Sequence, residues 1–505
     1  MSTVHVKTTV TDQSGKTGSL EGDVTLNGGP PPPTGQTIEV KEYLGAFRMN
    51  EDASSVTFAY GGLGGRRNPQ TGKLTFFMAL TDTFQPSTVV EISDPEVYSK
   101  DWQTAPQCNR VQWTGDICKG KKGTWMTSVQ RDVAIRNTRN LLLKSPNPIL
   151  EGWLNRLLNV RPRATGYTWY EFYPGQAPLG SLLYDDETNA IYWTYADGYN
   201  VSGRPDWALG ACVLNDDGTS GNTYGPWRMA GTDKDNYTRQ GSWVSGFLAK
   251  HPNGNLITGT TIQSGSVGSP WGPEGYTGRK LPALTDDPMI DQLMPTRLLR
   301  HYYMGGLINS DGVASGPVMS MRRNKIVPYW EPFNGVGALN INQAHYNGTT
   351  SWRQCDVISG VQWIDYKGKT GLVYTGLIAG QDAHEWYSNV GVGALNCPAH
   401  NVAPPVQITG PVCTNMVPVF IVYPLSEIDR IARGEIPDYG AEPSQFIDVE
   451  KEFGVHIAPE VVMAPGFNNG YFDKETGRYF VLSQRADDVT VWGTLTSLVH
   501  VFQLG

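Results

Sequence analysis

One turn phrase recurs along the chain and limits what it can fold into. It reads NPQTGKLTFF from Asn68, DDETNAIYW from Asp185 and FDKETGRYFVL from Phe472. Asn or Asp opens each copy by hydrogen-bonding its own backbone. Gly72, Asn189 or Gly477 then takes the left-handed conformation that returns the chain into a strand. Each copy is read as a tight β-hairpin. Degenerate copies follow at His251 (HPNGNLITG), Asn309 (NSDGVASGPVM) and Asp365 (DYKGKTGLVYTG).

The intervals carry a second constraint. Asn68 to Asp185 is 117 residues and Asp185 to Asp473 is 288, close to two and five steps of roughly 58 in a repeat architecture. The hexapeptide GVGALN occurs identically at 335–340 and 391–396, each copy five residues after a tryptophan, Trp330 or Trp386, an offset of 56. These loops are expected at equivalent positions in neighbouring repeats. All-β repeats of this length, each with several short strands, fit the blades of a β-propeller better than a solenoid. The expectation is about seven blades, with six or eight allowed by the period. The last strand, SLVHVFQL, is expected to pair beside TIEVKEYLGAF and close the ring, leaving no exposed sheet edge there. Composition agrees: 58 Gly, 34 Pro and 15 Trp with only 17% charged residues describe short strands, many turns and wide aromatic burial.

Three segments stand apart from the repeats. Residues 1–28 alternate apolar and polar around DQSGKTG and read as a hairpin arm too small to fold alone. Residues 29–38 carry four consecutive prolines and read as a semi-rigid spacer. The propeller is expected over 39–505, with a helix-like insertion near 128–160 (SVQRDVAIRNTRNLLLKSPNPILEGWLNRLLNV). A net charge of −8 and no run of Lys or Arg argue against nucleic acid as a partner. No apolar stretch approaches the ~20 residues that span a bilayer, and the amino terminus lacks the apolar core of a signal peptide. Among six cysteines, Cys108 with Cys118 and Cys397 with Cys413 are spaced to close small loops; disulfide staples and buried thiols both suit them. Cys212 and Cys355 read as buried thiols. No cysteine and histidine pattern suggests a metal site, and no cofactor is implied.

The segments GSLLYDDETNAIYWTYADGY, SGFLAKHPNGNLITGTTIQSGSVGSPWGP and the ending GYFDKETGRYFVLSQ…LVHVFQL resemble a family of bacterial and phage-associated β-propeller-like proteins. The resemblance covers roughly residues 40–505 and rests on structural phrases, so it transfers no catalytic residue. An arm, a spacer and a large β domain resemble phage virion proteins that plug an arm into a shell and display the rest.

Motifs for enzymes are sparse. GGLGGRR at Gly61 lacks the third glycine and helix of a dinucleotide site, and no nucleophile elbow, phosphate loop or HExxH is present. NDDGTSGN at Asn215 and YDDET at Tyr184 lack EF-hand spacing and read as solvated turns. Aromatics amid Gly, Pro and Asn are candidates for stacking on sugar rings: Trp271, Tyr276, Trp330, Trp386 and Tyr387. Packing between blades is the competing role for each. His384 with Tyr387, and Arg300 with His301, offer the base, acid and cation of a polysaccharide lyase. The sequence therefore favours a non-enzymatic recognition or structural protein on a virion or other extracellular surface. Its arm would engage another surface protein within an oligomeric assembly, and its ligand would be a glycan. A propeller lyase or glycosidase is the alternative, and a secreted bacterial propeller a third reading.

Overall fold

The structure is a computed structural model. It describes residues 2–11, 17–26, 36–48, 62–82, 85–117, 123–127, 136, 139, 140, 143, 167–171, 179–195, 207–228, 247–252, 254–259, 274–280, 284, 296–300, 319–322, 325–328, 357–379, 385–388, 410–413, 416–436, 441–455, 467, 469–483 and 497–505.

Four four-stranded antiparallel sheets and one five-stranded sheet account for most of these residues. We number them as blades in chain order. Blade 1 comprises Leu63–Arg67, Leu74–Asp82, Gln85–Ser93 and Arg110–Asp116. Blade 2 comprises Leu179–Asp185, Ala190–Tyr195, Trp207–Leu214 and Ser220–Arg228. Blade 3 comprises Phe247–Lys250, Asn255–Gly259, Glu274–Lys280 and Thr296–Arg300. Blade 4 comprises Val357–Tyr366, Lys369–Ala379, Met416–Tyr423 and Gln445–Asp448, with Gln36–Thr37 added in parallel at Lys369–Thr370. Blade 5 comprises Gly470–Asp473, Arg478–Ser483 and Leu498–Leu504, completed by Val40–Arg48 from the other end of the chain.

The first strands close a ring. That of blade 1 touches those of blades 2 and 5, that of blade 3 touches those of blades 2 and 4, and that of blade 4 touches that of blade 5. This is a propeller-like arrangement, with five multi-stranded sheets among the described residues; the expected seven are not all seen there. The GVGALN copies fall on either side of the first two strands of blade 4, at 335–340 and 391–396. Both copies lie outside the described residues.

The strands form here because alternate residues are apolar on both faces. A sheet sandwiched between two others must bury both sides. Each seam has its own core. Phe47, Phe480 and Val499 of blade 5 meet Phe76 and Met78 of blade 1. Phe77 and Val89 meet Ile191 and Trp193. Tyr192 and Trp227 meet Leu248 and Leu256, Phe247 and Ile257 meet Val361 and Tyr374, and Phe420 and Val373 meet Tyr479 and Phe502.

Closure follows the expected pairing: Leu498 to Leu504 run antiparallel to Arg48 to Val40. The ring begins earlier than the expected residue 39. Gln36–Thr37 pair with blade 4, and Ile38 is buried with its N–H donating to the Thr370 carbonyl at 2.9 Å. Ser2–Thr11 and Thr17–Leu26 form an antiparallel pair. Within the expected insertion, Arg136, Arg139, Asn140 and Leu143 are helical; the rest of 128–160 lies outside the described residues. No helix among the described residues is long and apolar enough to cross a membrane.

A truncation checks this boundary. Removing residues 1–35 is expected to leave the thermal melt nearly unchanged. Removing 1–48 takes away the fourth strand of blade 5, with Tyr43 and Phe47, and is expected to abolish cooperative unfolding. Equal melts for the two truncations would refute the closure.

Candidate functional site: the two ends of the ring

The turn phrase occupies the same place in every blade. The turns at Asn68, Asp185, His251, Asp365 and Asp473 each join the first and second strands. Gly72 (φ 69°), Asn189 (φ 48°), Gly254 (φ 84°), Gly368 (φ 77°) and Gly477 (φ 73°) all adopt the left-handed conformation. The copy at Asn309 lies outside the described residues.

In the best-formed turns a threonine three residues after the opener completes the geometry. Thr188 and Thr476 hydroxyls donate to Asp185 and Asp473, each at 2.7 Å. The Asn68 side-chain oxygen accepts from the Gln70 and Thr71 N–H groups at 3.0 and 3.1 Å. Gly72 and Gly477 differ in surroundings. A Cβ at Gly72 meets nothing within 4 Å, whereas one at Gly477 lies 2.6 Å from the Tyr366 ring. Gly72→Ala should therefore cost only the left-handed strain, about 1 to 2 kcal/mol. Gly477→Ala should cost about 3 kcal/mol or more, adding an overpacking penalty as Tyr366 shifts. Equal losses in chemical denaturation would contradict this placement.

These turns also pin neighbouring blades. The Asp473 carboxylate accepts from Arg67 of blade 1 at 2.7 Å, and Asp185 accepts from Lys250 of blade 3 at 2.5 Å. Burial works against the Lys250 charge, but the hydrogen bond and charge of Asp185 outweigh it and its pKa is raised. His251 of blade 3 lies against Trp363 of blade 4, ring centroids 4.1 Å apart. Tyr366 of blade 4 meets Phe472 of blade 5 edge-on at 5.6 Å. At the remaining seam Tyr184 of blade 2 packs on Phe77 at 5.4 Å, and the Arg66 guanidinium lies over both rings.

Arg66 itself is buried and forms a fork with Glu91, Nε to Oε1 at 2.9 Å and Nη2 to Oε2 at 2.7 Å. Thr75 and Asn68 donate to the same carboxylate at 2.6 and 3.2 Å. The neighbouring Asp186 carboxyl has a raised pKa, first through burial and then through the Asp185 charge.

The axis is filled. Asn469 is 1% exposed and bonds to all five blades. Its amide donates to Ser181 Oγ of blade 2 at 3.0 Å and to the Leu248 carbonyl of blade 3 at 2.9 Å. Its side-chain oxygen accepts from the Val361 N–H of blade 4 at 3.3 Å and from its own neighbour Gly470 at 3.1 Å. Its carbonyl accepts from the Leu63 N–H of blade 1 at 3.2 Å. Gly62 and Gly360 allow this approach, since a Cβ at either would lie within 2.6 Å of Asn469 backbone atoms.

The other end of the ring has a different character. In antiparallel blades, connections from second to third strand and from fourth strand to the next blade emerge at the end opposite the first turns. The described strand ends that flank residues 196–206, 229–246, 260–273, 301–356, 380–415 and 484–496 all lie there. Of the candidate residues, the described ones are Tyr276, Arg300, Trp386 and Tyr387. Tyr276 lies in the third strand of blade 3 and Arg300 ends its fourth. Trp386 and Tyr387 lie in Glu385–Ser388, which pairs with Gly410–Cys413 so that Trp386 stands opposite Val412. Trp271, His301, Trp330 and His384 lie outside the described residues. So do Cys118 and Cys397, and with them both expected disulfides. Cys108 is buried in the core between blades 5 and 1, and Cys212 is buried in blade 2, as expected for Cys212. The turn at Asn215 is an exposed, internally bonded loop, with Thr219 donating to Asp217 at 2.6 Å. Among the described residues no group of three or more His, Cys, Asp or Glu converges on a metal-sized site.

The hub Asn469 and the Arg66–Glu91 pair were not anticipated. The signal was present in GGLGGRR, because repeated glycine inside a strand marks close approach by other backbone or side chains. Gly65 lies where a Cβ would strike the Tyr471 ring at 2.4 Å.

No family model matches the chain, and no curated protein matches it. Among solved structures it is similar to one described as the structure of the Dos1 propeller. That similarity has 11% identity over 68% of this chain and 81% of that chain, with a TM-score of 0.19. The propeller-like ring rests on this chain's own strand pairings and seam contacts.

Proposed function

We propose that the protein is a non-enzymatic display ring. Its N-terminal arm anchors it to a larger surface assembly, a phage virion being the favoured setting, and the opposite end presents a glycan-binding surface. The observation that carries this reading is the polarity of the ring. The chain enters at Gln36 beside the Lys367–Gly368 turn, at the end bearing the tight hairpins. The described strand ends leading into the aromatic-bearing segments lie at the other end. An anchor and a recognition surface at opposite ends suit a protein held on a particle and facing outward. The pinned seams and the filled axis make the ring a rigid support, on which binding groups lose little entropy.

The test combines a glycan array with particle purification. Trp386→Ala is expected to weaken glycan binding by about 1 to 3 kcal/mol, the scale of an aromatic anchor, with an unchanged melt. The full-length protein is expected to copurify with a particle, and the 1–35 deletion to be lost from it. An array without hits would reject the recognition surface. Polysaccharide cleavage abolished by His384→Ala would replace this reading with the lyase.

A further inference from the structure

The strand pair that closes the ring also fixes how the ring answers to a pull. Val40–Arg48 runs from the tight-turn end of blade 5 to the far end, and Leu498–Leu504 runs back beside it. Glu39 and Gly505 therefore sit side by side at the tight-turn end, where they exchange backbone hydrogen bonds at 3.3 and 3.0 Å. In an antiparallel pair the ladder bonds lie perpendicular to the strands. A pull along the strand loads all seven residue pairs of this ladder together, whereas a pull that parts Glu39 from Gly505 breaks them one after another.

Residues 36–48 are also fastened to the blades on either side. Toward blade 4, the Ile38 N–H donates to the Thr370 carbonyl at 2.9 Å and the Val40 N–H to Gln445 Oε1 at 3.1 Å. Inside blade 5, the Tyr43 hydroxyl and His500 Nδ1 share a buried hydrogen bond at 3.0 Å. Toward blade 1, Phe47 stacks on Phe76 with centroids 6.1 Å apart, and Arg48 donates from Nε to the Ala105 carbonyl at 2.9 Å and from its N–H to the Pro106 carbonyl at 2.8 Å. Slippage is obstructed as well. Gly45 (φ 123°) passes Ser99 so closely that a Cβ there would lie 2.7 Å from the Ser99 backbone. Sliding the strand toward the arm carries Ala46 and then Phe47 into that place, and each has a Cβ.

Resting on the anchoring role of the arm, we infer that residues 36–48 are a mechanical clamp. Tension between the arm and the far end of the ring is borne in shear by the closing ladder, so a ring held by its arm and pulled from its opposite end stays folded. The same ladder opens readily when Glu39 and Gly505 are drawn apart.

Single-molecule force spectroscopy on the full-length protein tests this, since forced unfolding reports the unfolding barrier. The chain is held by its N-terminus in both arrangements. In the first the second handle is a ligation tag inserted between Asp82 and Gln85, which pair at the far end of blade 1. In the second it is the C-terminus. The first arrangement should need a several-fold higher force to rupture the ring, and the second should open by peeling at low force. Should that insertion not fold, as judged by the melt, a tag between Tyr195 and Trp207 places the handle at the same end of blade 2. Equal forces in the two arrangements, or a lower force in the first, would overturn the clamp. The measurement involves neither particle nor glycan, so loss of the clamp would leave the display reading standing, and a protein that joins no particle can still show the clamp.

Discussion

Replacing Asn469 with alanine is expected to cost about 3 to 5 kcal/mol of stability, because buried groups left without partners cost about 1 to 3 kcal/mol each. The change strands Ser181 Oγ, the Leu248 carbonyl and the Val361 N–H at the axis, where water is excluded. Ser181 keeps one partner, the Leu248 N–H at 3.1 Å, which keeps the loss below the full sum. Asn469→Asp should be at least as damaging, since it places a charge on the axis and faces the Leu248 carbonyl with an acceptor. Equilibrium denaturation, with intact β signal as the folding check, gives the answer. A loss below 1 kcal/mol would mean that the five blades do not depend on the hub.

The second large effect belongs to the buried ion pair. Arg66→Met is expected to destabilise by about 3 to 5 kcal/mol, the cost of leaving a buried charge without its partner. Glu91 is fully enclosed and would retain only Thr75 and Asn68 as donors. The double variant Arg66→Met/Glu91→Leu should recover most of that loss, since two apolar groups of similar volume need no pairing. The effect should persist in high salt, unlike that of the part-exposed Lys250 and Asp185 pair, which screening should weaken. A double variant no better than the single would show that the aromatic stack of Phe77 and Tyr184 on the guanidinium, and not the charge pair, sets the stability of this seam.

Local turn chemistry was legible in the sequence because it needs only five residues. An Asx opener, a threonine three positions on and a left-handed residue after it define the turns at Asn68, Asp185 and Asp473, and a left-handed glycine three positions on defines the shorter turns at His251 and Asp365. The closing pair was legible for a similar reason, as SLVHVFQL and TIEVKEYLGAF are apolar strands at opposite ends of the domain. Blade count was not. Successive first turns are 117, 66, 114 and 108 residues apart, a spacing too uneven to fix a blade period. Position in sequence cannot separate an inserted loop from a repeat when both are rich in Gly, Trp and Asn. The hub was hidden for another reason. Asn469 acts through groups 108 to 406 residues away, and no local pattern distinguishes it from a turn asparagine. The aromatic phrases were legible as candidate loop chemistry, and Trp271 and Trp330 lie outside the described residues.

Electron cryo-microscopy of the purified full-length protein tests the central claim most directly. The account predicts a ring of five wedge-shaped sheets with a closed axis, density for the N-terminal hairpin leaving from the tight-turn end, and the connections 301–356 and 380–415 at the opposite end. A ring of six or seven sheets, or the hairpin and those connections at the same end, would contradict it.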